Sequence, residues 1–136
     1  MKRRLLIGYQ GLTGASDSLT GLLLILRPAF TLRLMRVHVA ADALPFLSYI
    51  GVFVLSVGIA CFYGAFLANH VRSTQKLEVV WLLTGITRGL VSVFIMSRIL
   101  SGTLDLGWLT VAIFDGLFAL LQFIGLVKGW LNHVAG

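Results

Sequence analysis

LEVVWLLTGITRGLVSVFIMS, residues 77–97, is long and apolar enough to cross a bilayer, yet it carries Arg88 near its middle. At about 1.5 Å per residue such a run matches a hydrocarbon core of about 30 Å. An arginine at that depth costs about 2.5–3.5 kcal/mol on insertion scales, so it needs a partner from another helix. Three further runs of similar length surround it, at residues 5–26, 45–68 and 106–127. The first carries Asp17 in mid-span and the last carries Asp115. Asp17 lies thirteen residues from Arg4, Arg88 twelve from Lys76 and Asp115 thirteen from Lys128. If these reference charges sit on one side of the membrane, the three groups share one level, about 18–20 Å from that side. One arginine and two carboxylates at a common depth on three helices are expected to meet inside the bundle, because Arg–carboxylate hydrogen bonds best offset the desolvation of both charges.

The composition agrees with a lipid solvent. Of 136 residues, 58% are hydrophobic and 12% charged, against about 25% charged in an ordinary water-soluble domain. A short water-soluble chain buries only about two-thirds of its surface and could not hide so many apolar groups. The fold class read from this pattern is an all-α membrane protein: an up-and-down bundle of four transmembrane helices in a single domain, residues 1–136. Lys2, Arg3 and Arg4 before an apolar run resemble the start of a signal peptide, but Gln10 and Thr13 interrupt that run, so a retained first helix is expected. Pro28 ends the first span. Beyond it, Phe30, Leu34 and Val37 recur at helical spacing, with Arg33 and Arg36 on another face. Residues 29–39 are therefore expected to form an interfacial helix, with Arg27, Arg33 and Arg36 at headgroup level. Pro45 suits the first turn of the second span, and Glu78 that of the third. Trp108 and Trp130 flank the fourth as an aromatic belt.

The basic residues sit at the ends of the apolar runs. Lys2, Arg3, Arg4, Arg72, Lys76 and Lys128 fall on the side of the termini, and Arg27, Arg33, Arg36 and Arg98 on the other. Six against four places both termini in the cytoplasm. The net charge of +6 thus addresses lipid headgroups, and no basic stripe with interleaved aromatics points to nucleic acid.

Small residues mark the faces that approach one another. Gly51, Gly58 and Ala65 repeat every seven residues, Ala60, Gly64 and Ala68 every four, and Gly85 with Gly89 forms a GxxxG pair. Gly8, Gly11 and Gly14 read as a further groove for close packing. The ion cluster has polar company at helical spacing: Gln10 and Thr13 beside Asp17, Thr84 and Ser92 beside Arg88, and Gln122 beyond Asp115. Such a cluster fixes helix register, holds a ligand or proton, or meets another membrane subunit. Two carboxylates against one arginine leave one negative charge in excess, which a proton, a cation or a polar ligand would complete. The single cysteine, Cys61, excludes an internal disulfide or cysteine-based metal cluster. His38, His70 and His133 fall at the membrane edges, so neither a metal site nor a haem pair is expected. No Ser/His/Asp set shares one level.

The runs WLLTGITR (81–88), WLTVAIFD (108–115) and GLVKGWL (125–131), with a first helix closing on Leu26, Arg27 and Pro28, resemble the DoxX-like group of small bacterial four-helix membrane proteins. The resemblance implies a four-helix bundle in the bacterial cytoplasmic membrane. It also admits a quinone- or lipid-binding role, since some members of that group are accessory membrane subunits of quinone-linked oxidoreductases. No redox residue here matches such chemistry, and no cofactor is expected beyond a quinone or bound lipid. The expected function is that of a non-enzymatic accessory or scaffolding subunit, whose partners are the bilayer and other membrane subunits or further copies of the chain. The alternative is a small oligomeric transporter or proton-coupled carrier using Asp17, Arg88 and Asp115.

Overall fold

The computed structural model describes residues 3–70 and 74–132. They form α1 (Arg3–Leu26), α2 (Pro28–Leu34), α3 (Leu44–His70), α4 (Thr74–Leu100) and α5 (Leu109–Val127), with single 3₁₀ turns at Ala41–Ala43 and Leu106–Trp108. No strand occurs among the described residues. Three stretches are long and apolar enough to cross a membrane: Ala41–His70, Thr74–Leu100 and Leu106–Val127. At 24 residues, α1 reaches about 36 Å, but Gln10, Thr13, Ser16, Asp17, Ser18 and Thr20 interrupt its apolar character. The first expected span is therefore a helix of sufficient length, not of sufficient hydropathy.

Neighbouring helices run antiparallel. Gly14 faces Gly58 and Gly21 faces Gly51 across α1 and α3. Arg88 meets Asp115 and Ser92 meets Ala112 across α4 and α5. Val80 of α4 lies against the Gly64 position of α3. The side chains are sorted in the reverse of a water-soluble fold. Large apolar groups such as Leu12, Leu19, Phe53, Phe66, Leu90, Phe114 and Leu120 point outward. The buried positions include Gln10, Thr13, Gly14, Gly21, Gly51, Gly58, Thr84, Gly85, Arg88, Ala112 and Gln122, alongside leucines such as Leu24 and Leu67. Small and polar groups are favoured where helices meet in lipid. Two apolar clusters close the ends. Leu6, Ala68, Leu77, Trp81 and Leu131 form one, and Leu32, Val37 and Leu47, with Trp108 beside them, form the other.

The structure revises several details. The helix after α1 is shorter than the expected residues 29–39: α2 ends at Leu34. Arg36 turns the chain with φ 56°, while Val37 N–H donates to Leu32 O at 2.9 Å and Arg36 N–H to Arg33 O at 3.1 Å. These are the two bonds of a Schellman cap, and the Val37–Leu32 contact is its hydrophobic part. Gly102 and Gly129 occupy the same left-handed position after α4 and α5. A side chain there costs about 1–2 kcal/mol, which glycine avoids and Arg36 does not. Helix α4 starts at Thr74, so Glu78 lies beyond its first turn. A Cβ on Gly8 or Gly11 would meet nothing within 4 Å, so of that glycine series only Gly14 is packed. Lys2, Arg72 and His133 lie outside the described residues.

Candidate functional site

Arg88 is 4% exposed and reaches a carboxylate on each of two other helices. Its Nη1 donates to Asp115 Oδ1 at 2.7 Å, and its Nη2 donates to Asp17 Oδ2. The rigid fork of the guanidinium suits this task, because its two terminal nitrogens diverge in one plane towards two acceptors. The guanidinium carbon lies 5.2 Å from the centroid of the Phe118 ring, which adds a cation–π contact on one face. Each carboxylate side chain keeps about one-fifth of its surface accessible, 18% for Asp17 and 20% for Asp115. The cluster is thus sealed around its cation and open at its two anions. Helices α1, α4 and α5 meet at this point through charge, where the sequence has no apolar alternative.

A second polar layer lies two helical turns away. Gln10, Trp81 and Gln122 are each seven residues from Asp17, Arg88 and Asp115 respectively. Antiparallel running carries all three steps towards the same end of the molecule, by about 10 Å and on nearly the same helix faces. All three side chains are fully buried. Gln122 Nε2 donates to Thr84 Oγ1 at 2.8 Å, and that hydroxyl donates to Val80 O at 2.7 Å. Tyr9 fits between the layers, its ring 5.6 Å from Trp81 and 5.8 Å from Phe118. Both amide atoms of Gln10, Gln122 Oε1, Trp81 Nε1, Tyr9 Oη, Ser18 Oγ and Arg88 Nε are buried without a protein hydrogen-bond partner.

The remaining residues singled out in the sequence fall in three places. Thr13 bonds back to Tyr9 O at 2.9 Å within α1. Ser92 ties α4 to α5 by donating to Ala112 O at 2.7 Å. Arg27, Arg33 and Arg36 lie at the opposite end from the Leu6–Trp81–Leu131 cluster and do not join the ion cluster. Arg27 precedes α2 and Arg33 bonds only to its own helix. His70 stacks on Phe66 at 4.6 Å. Among the described residues no three His, Cys, Asp or Glu side chains converge as a metal site. Tyr9, Trp81 and Phe118 were hidden in the sequence as aromatic members of apolar runs. The spacing of seven between Trp81 and Arg88 was the signal that could have found one of them.

No protein-family model matches this chain, and no curated protein or solved structure matches it either.

Proposed function

We propose that the chain is a non-enzymatic integral membrane protein, a bundle of four transmembrane helices that serves as a small accessory or scaffolding subunit of a larger membrane assembly. One observation carries this reading. Nη1 and Nη2 of Arg88 each bond a carboxylate on another helix, Asp115 and Asp17, so the charge at the centre of the bundle staples three helices together. The apolar outer faces of α3, α4 and α5 offer a partner helix the same contacts that lipid would make. The DoxX-like resemblance supports the same architecture, in a bacterial cytoplasmic membrane with both termini in the cytoplasm. Purification in mild detergent tests the assignment: a larger membrane protein in fixed ratio is expected, and a homodimer alone would overturn it.

A second reading rests on the unpartnered atoms of the lower layer. Buried polar groups without partners cost about 1–3 kcal/mol each, and four such atoms belong to the layer of Gln10, Trp81 and Gln122, with Tyr9 Oη close by. A carrier of protons or a small polar solute would use them, with Asp17 and Asp115 as the exchanging groups. Proton uptake by sealed vesicles distinguishes the two. Uptake that Asp115→Asn abolishes, while the protein remains folded, supports the carrier.

A further inference from the structure

At the end of the molecule that holds α2, residues 35–38 lie against residues 104–107. Gly107 comes so close that a Cβ there would stand 2.9 Å from Met35 O and 2.7 Å from Val37 Cγ2. His38 N–H donates to Asp105 Oδ2 at 3.3 Å. Beside this docked pair of loops opens a groove of about 590 Å³, lined by Arg36, His38 and Asp105 and by the apolar Ile99, Leu104 and Leu106. The groove adjoins the last residues of one apolar helix, α4, and the first of the apolar stretch Leu106–Val127. It therefore sits where hydrocarbon gives way to headgroups.

Arg36 is the unexpected residue in this wall. It adopts the left-handed conformation that Gly102 and Gly129 adopt after α4 and α5. Glycine would sit there without strain, and strain retained on the rim of a groove points to a use for the side chain. The ion pairs among the described residues are the two made by Arg88, so Arg36 and Asp105 share the groove without neutralising each other.

We propose that this groove seats a phospholipid whose headgroup carries a primary ammonium. Arg36, with His38 beside it, takes the phosphate diester, Asp105 takes the ammonium, and Ile99, Leu104 and Leu106 line the path of the acyl chains. The charges select this class. An anionic glycerol headgroup leaves Asp105 without a cation, and a choline headgroup has no N–H to donate to it. Free phosphate satisfies Arg36 alone and leaves the apolar wall bare.

The full chain, stripped of lipid in detergent, tests this by native mass spectrometry and thermal melting with dioleoyl phosphatidylethanolamine, phosphatidylcholine, phosphatidylglycerol or inorganic phosphate. A single phosphatidylethanolamine is expected to stay bound, about five-fold more tightly than the other two lipids, and millimolar phosphate should not displace it. Arg36→Gly separates the roles of charge and backbone. It should melt higher than wild type without lipid, yet hold phosphatidylethanolamine about five-fold less tightly. Asp105→Asn should erase the preference for phosphatidylethanolamine over phosphatidylglycerol. Equal retention by wild type and Arg36→Gly overturns the proposal. So does displacement by inorganic phosphate, which marks a free-anion site, or a lipid preference that Asp105→Asn leaves unchanged.

Discussion

Between α1 and α3 the backbones touch. A Cβ on Gly21 would stand 2.6 Å from Leu55 N and 2.8 Å from Gly51 O, and one on Gly58 would stand 2.6 Å from Ser18 N. Between α4 and α5 the tight approaches are to side chains and not to backbone: a Cβ on Gly125 would stand 2.5 Å from the Trp81 ring and one on Gly116 2.8 Å from Ser92 Oγ, while the glycines of α4 have room. A Cβ on Gly85 would find Gln122 Oε1 at 3.4 Å, and one on Gly89 would find Ala119 Cβ at 3.8 Å, both ordinary contacts. The second seam is filled by side chains that bond across it: Arg88 to Asp115, Gln122 to Thr84, Ser92 to Ala112. Lipid supplies no hydrophobic drive for helix association, so close packing and polar bonds gain weight: backbone packing dominates between α1 and α3, and side-chain packing joins polar bonds between α4 and α5. The α1–α3 seam fails by collision with backbone, and the α4–α5 seam by loss of a partner.

The polar seam should break hardest. Arg88→Ala leaves two carboxylates without their cation, and Asp115→Ala leaves the cation with one acceptor. Each is expected to cost about 3–5 kcal/mol, the usual penalty for orphaning a buried charge. Chemical denaturation in mixed micelles would measure it. Replacing the whole cluster (Asp17→Asn, Arg88→Met, Asp115→Asn) should recover most of that loss if the cluster is a staple, because no unpaired charge remains. A triple variant less stable than Arg88→Ala would show that the bonds contribute more than they cost to desolvate.

The packed seam should come next. Gly21→Ala and Gly58→Ala push a methyl group into backbone, which cannot swing aside, and about 1–3 kcal/mol of overpacking is expected from each. Gly89→Ala, with its new methyl at ordinary contact distance, should change stability by less than about 1 kcal/mol. Comparing the three variants by thermal melting sharpens the contrast between seams. Equal losses at Gly58 and Gly89 would remove it.

The two seams were unequally legible in the sequence. Ionisable residues are so costly in lipid that their depths could be counted from flanking charges, and Asp17, Arg88 and Asp115 lie together in the structure as that count implied. Small residues carry less information. Gly51 and Gly58 recur every seven residues and do line the α1–α3 contact, but Gly85 and Gly89 show the same kind of pattern without a tight approach. Gly8 and Gly11 lie in open space. A missing side chain permits contact and does not demand it. The end of α2 was missed for a different reason. Arg36 occupies a position where glycine is the usual signal, so the cap after Leu34 was invisible to residue type and the helical spacing ran on to Val37.

The smallest expected effect lies within α1 itself. Gly8 and Gly14 are separated by six residues of one helix, yet their surroundings differ. A Cβ on Gly14 would press on Gly58 O and on the Phe62 ring at 3.1 Å, whereas one on Gly8 would touch nothing within 4 Å. In a helix interior glycine is less favourable than alanine by about 0.5–1 kcal/mol, since it surrenders more backbone freedom on ordering. Gly8→Ala should therefore stabilise the isolated chain by about that amount, while Gly14→Ala should lower its stability as the ring and the carbonyl give way. The melting temperature of each variant in detergent measures the pair, and a loss at Gly8 would contradict the open surroundings found there. The assembled state adds a separate test. If Gly8→Ala raises the stability of the purified chain but weakens its hold on a co-purifying subunit, the open space beside Gly8 is occupied in the assembly by that subunit's backbone, and the accessory-subunit reading gains a point of contact.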